Sequence, residues 1–140
     1  MKLNFDSDSL LVPVTQDLMN LLAKVAQEQE IPTGTNTIVF NFRDSTYSNK
    51  KGGYHPVEIS ITCNGGLWQF DYITSFSYQG YPYPELAKEI DFDMSNGTGL
   101  VYPLPMRALH EVMDFYPTWE MNFIDYQDSG AFDEVKLSTF

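Results

Sequence analysis

The sequence predicts an α+β fold, an antiparallel β-sheet meander with one N-terminal helix and C-terminal helices packed against it. Three observations carry this. Apolar residues recur at three- and four-residue spacing near the start. The period then changes to two across several consecutive segments, two of them joined by Asn-Gly. Helical spacing returns after Pro105. Strands grouped together, rather than alternating with helices, indicate a sheet of antiparallel hairpins and not a parallel α/β sheet. At 140 residues the chain reads as one domain, 1–140.

The first helix carries Val14, Leu18, Leu21, Leu22 and Val25 on one stripe, capped by Thr15 or begun by Pro13, and ended by Pro32 and Gly34. Ile38, Phe40 and Phe42 then alternate with Val39, Asn41 and Arg43. A polar turn segment, Asp44 to Gly53, leads to Val57, Ile59, Ile61 and Cys63, which alternate with Glu58, Ser60, Thr62 and Asn64. Asn64-Gly65 is a hairpin signal. The next strand is expected to put Trp68, Phe70, Tyr72, Thr74, Phe76 and Tyr78 on one face. Ile90, Phe92 and Met94 alternate with Glu89, Asp91 and Asp93 in a fourth strand, and Asn96-Gly97 turns into a short fifth. Pro105 suits a first helical turn, with Met106, Leu109, Met113 and Tyr116 at helical spacing. After Pro117, Trp119, Phe123 and Tyr126 continue as a kinked or second helix closed by Gly130. Phe132 to Leu137 is expected as an edge strand, its outer face protected by Glu134 and Lys136.

Nineteen acidic against eight basic residues give a net charge of -11. The first half carries -2 and residues 71–140 carry -9. A field of this sign repels phosphate backbones and anionic membranes, so direct nucleic-acid and membrane binding are disfavoured. No apolar run reaches the roughly 18 residues of a membrane span. The first residues lack the plan of a signal peptide, and a cytoplasmic location is expected. A single cysteine excludes an internal disulfide framework.

No catalytic residues are assigned, and no metal or cofactor is expected. The sequence lacks a phosphate-binding loop, a dinucleotide fingerprint and the common zinc and serine-hydrolase motifs. His55, held by Pro56 at a strand entrance, and His110 are read as structural. Cys63 is in phase with the core and too far along its strand to meet His55. Glu89, Asp91 and Asp93 are expected along one strand face, either as solvated charge or as an acidic binding surface. Tyr78, Tyr81, Pro82, Tyr83 and Pro84 form the least ordinary segment. Tyrosines are enriched at interaction hot spots, and the alternative is a proline-stiffened loop over the sheet edge.

Gly53-Tyr54-His55-Pro56-Val57-Glu58-Ile59, Trp119-Glu120-Met121-Asn122-Phe123 and Phe132-Asp133-Glu134 resemble a small bacterial family of unknown function. That family occurs in Vibrio and related gammaproteobacteria, often on genomic islands. The resemblance covers nearly the whole chain. It implies a fold similar to that of the acidic mitochondrial matrix protein that binds the globular heads of complement. That larger family forms ring-like trimers with an acidic face and binds many proteins, which implies a homo-oligomer here and carries no catalytic residues over.

The expected function is a non-enzymatic acidic module that binds an unidentified, basic protein, with Tyr78, Tyr81, Pro82, Tyr83, Glu89, Asp91 and Asp93 as candidate contacts. The alternatives are a nucleic-acid charge mimic that inhibits a DNA-binding protein, and a small hydrolase or metal-dependent enzyme using His55 or the Asp91/Asp93 face.

Overall fold

In the computed structural model, which describes residues 2–140, helix α1 spans Gln16–Gln27. The Thr15 hydroxyl caps it by accepting the Leu18 N–H. Asp17 in the first turn and Lys24 in the last suit the helix dipole. Leu18, Met19, Leu22, Val25 and Ala26 are buried, so the expected stripe holds at Leu18, Leu22 and Val25, while Leu21 is only half-buried.

Seven strands come after it: β1 (Thr37–Arg43), β2 (Val57–Asn64), β3 (Leu67–Gln79), β4 (Glu85–Asp93), β5 (Thr98–Val101), β6 (Arg107–Ala108) and β7 (Glu134–Thr139). They form one sheet in the order β6-β5-β4-β3-β2-β1-β7. Every pairing between these strands is antiparallel. The β2–β3 turn is Gly65-Gly66, with both φ values positive, between the closing pair Asn64 and Leu67. At the second Asn-Gly turn, Asp93 accepts from the Asn96 backbone and side-chain N–H groups at 3.0 and 2.9 Å. β7 joins as the expected edge strand, beside β1.

β3 departs from simple alternation. Ser60 pairs with Tyr72 and Ile61 with Phe70, so Asp71 is an extra residue. Ser75 pairs with Ile90 and Phe76 with Lys88, so Glu89 is extra in β4. Each bulge reverses the phase of the residues beyond it. Trp68 and Phe70 face the core as expected. Past Asp71, however, Ile73 and Ser75 point inward, and Tyr72 and Thr74 turn to the opposite face.

The second difference lies between residues 106 and 115. In place of a continuous helix, Arg107 and Ala108 pair with β5, and Leu109–Glu111 and Met113–Phe115 form 3₁₀ turns. The Leu109 N–H donates to the Gly97 carbonyl, so backbone groups needed by a helix are committed to the sheet edge. The C-terminal helix α2 then runs from Tyr116 to Asp128, with Pro117 in its first turn.

Helices and sheet meet over a core that includes Ile38, Phe40, Ile59, Ile73, Phe92 and Tyr116, all fully buried. Cys63 is only half-buried, packed against the edge of this core. One buried carboxylate joins the helices. Glu120, 3 % exposed, accepts from the Thr15 N–H at 2.9 Å, the Thr15 hydroxyl at 2.7 Å and the Tyr116 hydroxyl at 2.8 Å. Burial, then the Glu120 charge and this hydrogen bond, push the Tyr116 hydroxyl far above the usual phenol range.

Two of these contacts can be weighed by unfolding. Glu120→Ala leaves the buried Tyr116 hydroxyl without an acceptor and removes the part-buried bonds from Thr15, and is expected to cost about 3 kcal/mol, with Glu120→Gln costing less. Equal stability of Glu120→Ala and wild type in urea unfolding would show the contact to be incidental. Gly99 is packed so closely that an added Cβ would collide with Cγ2 of Val112. Gly99→Ala is expected to cost about 1–3 kcal/mol. Pairing it with Val112→Ala should give less destabilisation than the two single losses added together. Strict additivity in the same unfolding assay would contradict this packing account.

Candidate functional site

The β1–β2 connection is held by its own carboxylates. Asp44 accepts from the Thr46 N–H and hydroxyl and from the Tyr54 N–H. These bonds, led by the Thr46 hydroxyl, keep its carboxyl below the usual range. Asp133 receives the N–H and hydroxyl of Ser45, which ties the loop to the segment before β7. Gly53 sits at φ +128°, where a Cβ would be 2.8 Å from Asp44 Oδ2 and 3.0 Å from Tyr47 Cα, so glycine is required here. The loop therefore delivers Tyr54 and His55 to a fixed place.

That place is the mouth of a cleft of about 340 Å³ between the sheet and α2. Tyr54, Phe115, Trp119, Phe123, Tyr126 and Phe132 supply aromatic walls. Trp119 and Phe123 stack 5.3 Å apart, and Tyr54 meets Tyr126 edge-on at 4.9 Å. The polar lining includes His55, Ser75, Glu89 and Asn122. His55 Nδ1 lies 2.7 Å from Glu89 Oε2, within hydrogen-bond distance, with the Nδ1–H tautomer as the donor. Ser75 is 4 % exposed, and its hydroxyl has no hydrogen-bond partner among the described residues.

The expected line of Glu89, Asp91 and Asp93 is broken. Glu89 is the bulge residue and lines the cleft with Ile90. Asp91 lies on the opposite face, only 3 % exposed. It accepts from Thr74 at 2.6 Å and pairs with Lys88 at 3.5 Å, so it is not a solvated strand charge. Asp93 holds the β4–β5 turn. The face away from the helices is instead a layer of carboxylates bound by hydroxyls. Tyr72 donates to Glu58, and Ser60 and Thr62 donate to Asp71. Burial, then the bond to Glu58, raise the Tyr72 hydroxyl above its ordinary range.

The Tyr78–Pro84 segment is the tip of the β3–β4 hairpin. Tyr81 is 97 % and Tyr83 87 % exposed, with Tyr78 at the hairpin base 37 % exposed. Tyr47 connects this tip to the cleft. Its hydroxyl accepts the Tyr78 N–H, and its ring lies 5.3 Å from Tyr78 and 5.1 Å from His55. His55 and Glu89 thus converge in one pocket; Cys63, Asp91 and Asp93 do not join them. Sequence reasoning missed Ser75, Glu120 and Asn122. The Gly-Gly-Tyr-His-Pro run was the one local signal of the cleft mouth.

Among the described residues, no three His, Cys, Asp or Glu side chains gather as a metal cage. Among the same residues, no helix is long and apolar enough to cross a membrane.

Comparison with known proteins gives the chain its kin. No curated protein sequence matches it. A hypothetical protein, VC0508, from the VSP-II pathogenicity island of Vibrio cholerae is similar at TM-score 0.89 and 35 % identity, over 99 % of this chain and 100 % of that one. The conserved hypothetical protein VC1805, from the VPI-2 island of the same organism, is similar at TM-score 0.79 and 34 % identity, over 91 % and 95 % of the two chains. VC1805 is described as sharing structural homology with the human P32 protein. The pattern of the DUF2787 family, proteins of unknown function, matches residues 15–138, and the chain belongs to that family.

Proposed function

We propose that the chain is a non-enzymatic protein-binding module that engages a basic partner through the tip of the β3–β4 hairpin. The observation that carries this reading is the exposure of Tyr81 and Tyr83, 97 % and 87 %, on a segment stiffened by Pro82 and Pro84. Two large amphipathic rings held in water are unfavourable to leave uncovered and are well suited to anchor an interface. The net charge of -11 supports a basic partner, since a field of one sign speeds encounter with the other. The structural homology described between VC1805 and human P32 agrees with the fold that the sequence resemblance associates with protein binding.

A second reading, a small hydrolase, is favoured by the convergence of His55, Glu89 and the Ser75 hydroxyl in one cleft. Ser75 lies within a paired strand, away from the start of any helix, which weakens it as a nucleophile. Turnover of an activated ester, lost in both His55→Ala and Ser75→Ala, would replace the binding reading with this one.

The test of the first reading uses a partner captured from the native host. The Tyr81→Ser/Tyr83→Ser double variant is expected to keep the wild-type melting temperature and lose about tenfold or more in affinity. The wild-type association rate should fall as salt rises. Unchanged affinity in the double variant would remove the tip as the contact surface.

A further inference from the structure

We infer that the cleft beneath Tyr54 and α2 receives the guanidinium of an arginine side chain from the basic partner. This deepens the protein-binding reading and rests on it. The starting point is the Ser75 hydroxyl. It is 4 % exposed, lines the cleft and has no hydrogen-bond partner among the described residues. A buried hydroxyl without a partner is costly to the free protein. An incoming N–H would relieve that cost.

The neighbouring groups select the donor. Glu89 commits Oε2 to His55, and Oε1 has no partner among the described residues. The Asn122 amide at the rim is likewise uncommitted among them. Besides the His55 bound to this carboxylate, the lining holds no basic side chain, so it offers an anion little attraction. A cation is favoured, and it must reach past aromatic walls to touch Ser75. A guanidinium meets both demands. It is flat, weakly hydrated, stacks on rings and carries five N–H donors. A lysine ammonium is more strongly hydrated and loses more on entering such walls. A quaternary ammonium has no N–H for Ser75. Position agrees with chemistry, because the Tyr47 ring bridges the cleft's His55 to Tyr78 at the base of the hairpin tip. A partner seated on the tip can therefore extend along this run of rings toward the cleft.

The experiment titrates the protein with N-acetyl-arginine N-methylamide in low-salt buffer, following amide chemical shifts. The uncharged citrulline analogue and the lysine analogue serve as comparisons. Saturable shifts are expected at Tyr54, Ser75, Glu89 and Asn122, with the arginine probe bound about tenfold tighter than citrulline and tighter than lysine. Glu89→Gln and Ser75→Ala should each weaken arginine binding several-fold. Ser75→Ala should keep or raise the melting temperature, because it removes an unpaired buried hydroxyl, whereas a purely structural serine would lose stability. Equal binding of citrulline and arginine would overturn the inference in favour of a neutral apolar pocket. It also fails if the arginine shifts spread over the acidic surface, if there is no saturable shift, or if Ser75→Ala binds as wild type. If the arginine probe fails while the tip variant still loses its partner, the cleft inference falls and the protein-binding reading stands. If the probe binds as expected while the tip variant keeps its partner, the reading of the tip falls.

Discussion

The unpaired Asp71 in β3 governs the placement of most side chains that matter in this molecule. With that residue, Ile73 and Ser75 turn toward the helices, and Tyr72 and Thr74 turn away. A strand with unbroken alternation would send Thr74 and Tyr72 into the core and expose Ile73. The extra Glu89 in β4 does the same on the neighbouring strand, bringing a carboxylate to the helix side beside His55. The cleft has Ser75 and Glu89 because the ladder is interrupted twice. Three of its aromatic groups come from α2, where Trp119, Phe123 and Tyr126 repeat at spacings of four and three and so share one side; Tyr54, Phe115 and Phe132 come from the segments around it.

The opposite face of the sheet shows how an acidic protein places carboxylates on strands without a large penalty. Glu58, Asp71 and Asp91 each accept hydroxyl hydrogen bonds from neighbours on adjacent strands. Asp91 also has a cation, Lys88. Bonds of this kind stabilise an ionised carboxylate without a full counter-charge. Three of the nineteen acidic side chains are therefore held in fixed positions on the sheet itself.

Element order up to β5, the antiparallel pairing, the edge strand β7 and the family were legible in the sequence, because each rests on a local signal: a stripe, an alternation, an Asn-Gly pair or a short ordered motif. The cleft was not. Ser75 faces it only through a bulge that no residue type announces, and Glu89 reads in phase with Asp91 until the register shift separates them. Helical spacing at Met106, Leu109 and Met113 misled because the pairing of Arg107 and Ala108 with β5 outweighs a weak local preference. The exposed tyrosines of the hairpin tip were visible because proline and glycine mark that turn directly.

The place of β7 beside β1 has a consequence for how the molecule comes into being. β1 emerges early from the ribosome, and its outer edge is closed only by Glu134–Thr139, made after the rest of the sheet. Until then a strand rich in Ile, Val and Phe presents a row of unpaired backbone groups, the arrangement through which chains stick to one another. Net negative charge on the nascent chain opposes such encounters by repulsion. The net negative charge of the finished protein thus also protects the unfinished one from its own copies.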